Sequence, residues 1–596
     1  MGQKRLPFFG IPKLIKFIRP YGGRIAAMIV LGALSSFADT LFPLFNQYAI
    51  DHFIARGTLA GVGGFPALYL LLMVLQELDN FFCLYSCGRI EMSIDRDLRE
   101  AAFNHLQTLS FSYFNQHSVG YIHARVMSDT AKIGELAAWK MMDVVWDLSY
   151  IIFVLVMMLR INARLAAYVI ALVPAAVVLI LLFNRILVDR NRKIRELNSK
   201  ITGGFNEGIT GAKSIKTLAA EGRMTGRFRK DTERMYRTSV NTAHYAALLT
   251  SLVTMLSSAA LAVVLWKGGR ITMDGVIRIG TLSVFISYAV GILEPVKTII
   301  TAVSSLIAIQ VNIDRFTRLL EEESDVADTP EVIAKYGDQF HPKKENWEPL
   351  GGSVEFKDVT FRYPDGDTDV LSHFNLKVEK GTNVAIVGET GAGKSTLVNL
   401  VCRFYEPTEG QILIDGKDAR CRSQLWLHSG IGYVLQSPHL FSGTVRENLR
   451  YGKPGASDEE IRNALRLVSA EEIVDRMGGL DAEVGEGGGT LSAGEKQLLS
   501  FARALLADPK ILVLDEATAS VDTVTEKKIQ DAIAAVIRGR TSFVIAHRLS
   551  TIVRSDLILA VHGGKIVERG THSELMEKRG YYYRMYKEQI GGAMPA

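Results

Sequence analysis

Cysteine is scarce. Cys83, Cys87, Cys402 and Cys421 are the four in 596 residues. That is too few for a disulfide framework, and no C-x-x-C or Cys/His cluster offers zinc a ligand set. Cys83 and Cys87 stand four apart, on one helix face, and read as two small residues of a membrane helix rather than a metal or redox pair. Charge of one sign is lacking too. The formal net charge is only +5, and the C-terminal half has no basic stripe interleaved with aromatics, so nucleic acid is excluded as a partner. The first residues include basic side chains but no short apolar core with a small-residue cleavage site, so no cleaved leader is expected. Internal repeats and low-complexity segments are absent as well.

What is abundant is apolar sequence, 48% of the chain, and nearly all of its long runs lie before residue 315. A helix crossing the ~30 Å hydrocarbon layer needs about 20 apolar residues. Gly57–Gln76, Leu165–Phe183 and Tyr245–Trp266 meet that need without interruption by basic residues. Ile25–Ile50, Met141–Leu159 and Gly280–Ile313 meet it with interruptions: Asp39 in the first, Asp143 and Asp147 in the second, and Glu294, Pro295 and Lys297 in the third. Six spans are therefore expected. Ahead of them, Ile11, Leu14, Ile15 and Ile18 recur at helical spacing while Lys13, Lys16 and Arg19 take other faces. That is the pattern of a helix lying along a membrane surface.

Arg89–Ile133 and Arg185–Asn241 are long, charged, helical in pattern and free of proline. Each reads as two membrane helices running out of the bilayer and joined by a short turn helix, near Tyr113–Tyr121 and Gly208–Leu218. The remaining connections, around Asp51–Gly57, Arg160–Arg164 and Lys267–Arg278, are short. At 315–350 apolar content falls, Glu321-Glu322-Glu323 is acidic, and Pro330 and Pro342 are expected to break helices. From Gly352, short strands alternate with helical segments as in a soluble α/β domain: Ser353–Phe356, Asn383–Val387, Gln411–Ile414, Ile511–Leu514 and Ser542–Ala546. The expected organisation is an interfacial helix over 1–22, a six-helix membrane domain over 23–320, a linker over 321–350 and an α/β phosphate-loop domain over 351–596.

Gly388-Glu389-Thr390-Gly391-Ala392-Gly393-Lys394-Ser395-Thr396 fits G-x-x-x-x-G-K-[ST] between a strand and a helix read over Thr396 to Phe404. Glycines let the backbone curl so that N–H groups point at phosphate oxygens, and the helix N-terminus adds partial positive charge. Lys394 suits the outer phosphates, and the Ser395 hydroxyl suits Mg²⁺. The strand Ile511–Leu514 ends in Asp515 and Glu516. An acid at a strand tip beside a phosphate loop is placed to hold Mg²⁺, which suits Asp515. Glu516 points elsewhere and suits the attacking water. Gln436 and His547 each follow an apolar strand, and Tyr363 lies upstream of the loop in position to stack on adenine. Taken singly, each of these three would be an unremarked residue; their order and spacing give them weight.

The domain resembles the nucleotide-binding domain of ABC transporters. The discriminating stretch is Leu491-Ser492-Ala493-Gly494-Glu495, ahead of a helix read over Lys496–Leu506. It is similar to the family signature LSGGQ, with Ala493 for the first Gly and Glu495 for Gln. The resemblance implies ATP and Mg²⁺ as ligands. It implies Tyr363 as the adenine-stacking aromatic, Gly388–Thr396 as the Walker A loop, Gln436 as the Q-loop residue and Asp515 as the Walker B aspartate. It further implies Glu516 as the catalytic glutamate, Ser520 and Asp522 in the D-loop and His547 as the switch histidine. In this family two such domains close head to tail, so the signature residues would act on ATP bound by a partner. An altered signature beside complete Walker elements fits a homodimer that tolerates the variant, or the complete half of a heterodimer, the latter slightly favoured.

The order of spans, long helical loops and C-terminal ATPase resembles exporter-type half-transporters, including multidrug and lipid transporters. Arg99–Arg125 looks like the region of the first coupling helix and Gly208–Arg223 that of the second, while Glu483–Gly488 resembles the exporter X-loop. The acids Asp39, Glu77, Asp79, Asp143, Asp147 and Glu294, with Phe37, Phe42, Phe45, Trp139 and Trp146 near them, are costly within spans and form a candidate cavity for amphipathic cations. The expected function is ATP-driven export of a small amphipathic molecule by alternating access. The alternatives are ATP-driven uptake, for example of a metal chelate, and a non-transporting ATP-regulated membrane protein. Because ATP is cytosolic, both termini and both long loops are expected on that side, in a bacterial inner membrane.

Overall fold

The computed structural model describes residues 10–58, 61–436, 438–515, 523–546 and 549–591. The chain forms two compact units: Met1–His105 with Gly120–Glu322, and Leu106–Val119 with Glu323–Ala596.

The first unit is helical. Ile11–Ile18 passes through a tight turn at Arg19–Tyr21 into Gly22–Ala49, and Leu14 is buried while Ile15 is exposed. Among the described residues, five helical stretches are long and apolar enough to cross a membrane: Pro12–Ile54, Gly64–Thr108, Val119–Ile170, Glu221–Met273 and Ile279–Glu321. Three expected spans are redrawn. The second begins at Gly64, not Gly57, because Gly57 and Gly61 adopt left-handed backbone that no helix interior accepts. The stretch Leu165–Phe183 is divided between Met141–Ile170 and Val173–Thr210. Pro174 would clash with the carbonyl of Ile170, four residues earlier, which is where the first of these helices stops. Pro295 acts likewise on Gly291, so Gly280–Ile313 becomes Ile279–Gly291 and Leu293–Glu321. The short connection at Arg160–Arg164 is marked by Asn162, whose extended backbone (φ −157°, ψ 101°) and side chain accepting from Leu165 N–H at 3.0 Å start a new helical stretch.

Val154, Met158, Leu165, Val253, Phe285 and Tyr288 build the core of this unit. Gly280 matters here. A side chain there would meet the Gln47 carbonyl at 2.5 Å, and its own N–H donates to buried Asp51 at 2.9 Å.

Among the described residues the second unit holds two sheets. β1 (Val354–Phe361), β2 (Leu371–Val378), β4 (Glu409–Ile414) and β5 (Lys417–Asp418) form an antiparallel sheet in the order β2-β1-β4-β5. β3 (Asn383–Val387), β6 (Ile431–Val434), β7 (Ile511–Asp515), β8 (Thr541–Ile545), β9 (Leu557–His562) and β10 (Lys565–Gly570) form the other, in the order β10-β9-β3-β8-β7-β6. Within it β9, β3, β8, β7 and β6 run parallel. Their near-continuous apolar runs follow from burial on both faces.

The stretch read as a linker is ordered. Pro330 opens the helix Pro330–Tyr336 instead of breaking one, since a proline at the first helical position gives up an N–H that has no partner there anyway. Thr329 caps it, and Val332 and Tyr336 are buried. Glu348 accepts from Lys417, and also from Lys335 and Arg422, which holds its carboxyl down at about 2.

His428 donates from Nε2 to the Cys402 carbonyl at 2.8 Å. Burial holds its pKa below the ordinary 6.5, and Arg403 lowers it further. The unfolded chain therefore takes up this proton at a higher pH than the folded one. The resulting stability is complete above pH 6.5 and drains away as pH falls below it. Melting curves between pH 7.5 and 5.5 should show a steeper loss for the unmodified chain than for His428→Gln; parallel slopes would dismiss the effect.

Candidate nucleotide site

The register of the parallel sheet assembles the site. Ile386 on β3 aligns with Ile545 on β8, Ile545 aligns with Asp515 on β7, and Leu514 aligns with Val434 on β6. The loop after β3, Asp515 at the tip of β7 and Gln436 two residues beyond β6 therefore share the carboxyl edge of one sheet, the usual ligand edge of an open parallel sheet. Gln436 is exposed there and Asp515 half-buried. Glu516, Ser520, Asp522 and His547 lie outside the described residues.

The phosphate loop passes into the helix Lys394–Val401, which starts two residues earlier than expected because Gly393, in left-handed backbone (φ 101°), caps it. A side chain at Gly388 would lie 2.2 Å from the Val561 carbonyl, and one at Gly393 3.1 Å from Leu371 Cδ2, so both positions demand glycine. Lys394 is 9% exposed and its Nζ donates to the carbonyls of Gly388 at 2.7 Å and Glu389 at 2.8 Å. Burial lowers its pKa, and the charge of Asp515 works the other way. Gly391, Glu389, Thr390 and Ser395 are exposed, while Ala392 and Thr396 are buried. An exposed hydroxyl in the first turn of the helix, a strand-tip carboxylate and an exposed amide oxygen make an all-oxygen donor set of the kind that Mg²⁺ takes.

Tyr363 sits two residues past β1. Its hydroxyl is 2.9 Å from Thr396 Oγ1, and its ring meets Phe361 and Tyr405 edge-on, the latter at 5.1 Å. Tyr405 in turn accepts from Asn115 Nδ2 at 2.9 Å, and Phe404 stacks on Phe111 at 5.4 Å. Asn115 and Phe111 belong to the short helix Phe111–Gln116, which overlaps the turn read near Tyr113–Tyr121 and begins two residues before it. Sequence reasoning missed Phe404 and Tyr405. Two consecutive aromatics directly after the loop's helix were the available signal.

The signature also folds differently from its reading. The helix spans Ala493–Ala507, and Ser492 is its cap. Ser492 N–H donates to Glu495 Oε2 at 2.8 Å and Glu495 N–H to Ser492 Oγ at 3.3 Å, a reciprocal capping box that draws Ala493, Gly494 and Glu495 into the first turn. Leu491 and Gly494 are buried, Ser492 and Ala493 exposed.

The six intraspan acids fall into small groups on different helices. Asp39 accepts from Gln76 and has Glu77 as an electrostatic neighbour. Asp147 is 5% exposed, with Asp143 and Glu294 near it. Lys140 pairs with Asp143 at 3.2 Å and Lys297 with Glu294 at 2.8 Å. Among the described residues neither oxygen of Asp79 has a hydrogen-bond partner. They separate because they ride on different helices and different turns. A cavity of about 560 Å³ beside Phe45, Tyr48 and Phe65 is lined by none of them. Among the described residues no group of three or more His, Cys, Asp or Glu is placed to hold a metal.

Comparison with known proteins gives a consistent picture. Residues 25–296 match the model of the ABC transporter transmembrane region, and residues 371–519 match the ABC transporter model. A Bacillus subtilis protein described as a probable multidrug resistance ABC transporter ATP-binding/permease protein is 38% identical over 543 residues, covering 88% of this chain and 77% of the relative. An ATP-dependent lipid A-core flippase of Desulfotalea psychrophila is 35% identical over 502 residues, covering 84% of this chain and 85% of the flippase. The structure of a bacterial Atm1-family ABC exporter with ATP bound superposes with a TM-score of 0.76 at 27% identity, covering 97% of this chain and 99% of that one.

Proposed function

The chain belongs to the ABC transporter family, as a multi-pass membrane protein whose ATP hydrolysis is coupled to transport, and from that premise we propose that it exports a small amphipathic molecule (drug, lipid or peptide-like) as one half of a dimer. One observation carries the reading. The helix Phe111–Gln116 packs through Phe111 and Asn115 on Phe404 and Tyr405, next to Tyr363 and Thr396. Residues between two long membrane helices thus touch the frame of the nucleotide loop, and movement there has a route to the spans.

In the cycle, Tyr363 stacks on adenine, Lys394 and the loop N–H groups hold phosphates, and Ser395, Gln436 and Asp515 would hold Mg²⁺, which would shield phosphate charge. Ser492 and Gly494 reach the ATP of the partner. Closure turns the cavity outward, Glu516 and His547 assist water attack on the γ-phosphate, and product release resets it. The names of the Bacillus and Desulfotalea relatives, one for multidrug resistance and one for lipid A-core, favour an amphipathic substrate. Asp147, with Asp143 and Glu294, is the acidic group we assign to a cationic part of it; Asp39 with Glu77, and Asp79, are the further candidates. The membrane is a bacterial inner membrane with both termini cytoplasmic.

The test is the ATPase rate of the purified chain in nanodiscs, beside Glu516→Gln, with particle mass recorded. The expected result is a dimer-sized particle whose hydrolysis falls about 100-fold or more in the variant while ATP binding persists. Hydrolysis at the unmodified rate in the variant would remove Glu516 from its role, and an inactive, monomeric particle would mean an obligate second half-transporter.

A further inference from the structure

Glu495 places a full negative charge in the first turn of a helix whose N-terminus, in the head-to-tail reading proposed above, must receive a phosphate. That arrangement is unfavourable on its face, since like charges at this range repel and a helix N-terminus owes its anion affinity to partial positive charge. The structure answers the problem twice. One carboxylate oxygen, Oε2, is taken up by the helix's own cap through Ser492 N–H at 2.8 Å. The other, Oε1, is paired with the guanidinium of Arg476, which reaches over from the helix Glu471–Met477. The Glu495 side chain is only 16% exposed and that of Arg476 is 66% exposed, so the pair sits at a surface with the carboxylate tucked in and the guanidinium outermost. Burial alone would raise the Glu495 pKa, but Arg476 and the cap hydrogen bonds bring it below the usual carboxylate range, so the charge is present and is matched. The Ser492 oxygen accepts from Glu495 N–H, which leaves its own proton free to be donated outward.

We propose that Arg476 is a positioning residue for hydrolysis: by neutralising Glu495 it keeps this altered signature able to receive the γ-phosphate of the partner-bound ATP. The divergent signature is then a functional one, and two copies of this chain suffice for two working sites.

The inference rests on head-to-tail pairing, and the experiment separates the two. ATPase rates are measured in nanodiscs for Arg476→Ala, for Arg476→Ala in the Glu495→Gln background, and for Ala493→Asp. Arg476→Ala should lower kcat/KM for ATP about 10-fold, because a like charge then faces the phosphate uncompensated. In the Glu495→Gln background the same substitution should change the rate by less than about 2-fold, because glutamine keeps the capping box and carries no charge to neutralise. A role limited to stapling two helices predicts no such rescue. Ala493 is exposed at the first helical position, where aspartate favours the helix but would repel a phosphate. If Ala493→Asp is inactive while Arg476→Ala is unchanged or is not rescued, the role of Arg476 is wrong and the pairing stands. If Ala493→Asp keeps full activity, the signature does not face phosphate and the head-to-tail reading itself falls.

Discussion

Lys394→Ala should reduce ATP hydrolysis at least about 100-fold and weaken ATP binding to match. The Nζ is held between the Gly388 and Glu389 carbonyls at 2.7 and 2.8 Å, which aims it across the mouth of its own loop. It is 9% exposed, so it acts where water screens little. A hydrogen bond to a charged group contributes about 1.5–3 kcal/mol, and in the proposed site this ammonium would meet phosphate oxygens on two groups. Losing both contacts accounts for the factor. The loop should survive the change, since its shape is set by Gly388, Gly393 and the helix cap rather than by the lysine. Fluorescent-nucleotide titration and phosphate release on the nanodisc particle measure the two quantities. A variant that kept a third of the rate would mean that Lys394 does not contact phosphate.

Arg403→Ala should destabilise the second unit strongly, by about 3–5 kcal/mol. Its side chain is 4% exposed. It donates to Asp328 Oδ1 at 2.9 Å, to Glu406 Oε1 at 2.9 and 3.0 Å, and to the carbonyls of Arg422 at 2.9 Å and Ala327 at 3.4 Å. Alanine would take the charged donor away from two carboxylates and two carbonyls and leave Asp328 with the Gln424 N–H. The backbone at Arg403 is left-handed (φ 53°), a conformation that a non-glycine residue keeps only when its surroundings hold it there. For a domain of this size the loss corresponds to a drop in melting temperature of about 10 °C. Arg403→Lys, which keeps the charge but not the five-donor fork, should fall between. A shift under about 2 °C for the alanine variant would show that the network is dispensable.

Much of the nucleotide site is legible in the chain because its determinants are contiguous. Gly388, Gly393 and Lys394 encode a loop by backbone freedom and a helix start. Ile511–Asp515 encodes a buried strand with an acid at its tip, and Leu491–Glu495 encodes a cap. Each depends on neighbours a few residues away, so spacing alone fixes the local geometry, and the order of these segments carries the family. The same locality explains the boundary errors. Spacing makes Pro330 a breaker and carries single spans through Pro174 and Pro295, whereas Pro330 starts a helix and Pro174 and Pro295 divide helices without abolishing the apolar runs around them. What only the tertiary structure decides is which side chains from distant segments meet. Asn115 finds Tyr405 across 290 positions, Arg403 finds Asp328 across 75, and Arg476 finds Glu495 across 19. No periodicity announces such pairs, because their partners are chosen by strand order and helix packing. The acids within the spans show the other side of this. They are equally conspicuous in the sequence, yet only packing shows that Asp147 lies near Asp143 and Glu294 while Asp39 lies near Glu77, since each is carried to wherever its own helix turns it. The sequence thus determines the chemistry this chain can perform on ATP, and the fold decides how that chemistry is braced and charge-balanced, because hydrogen bonds and ion pairs are set by proximity in space rather than along the chain.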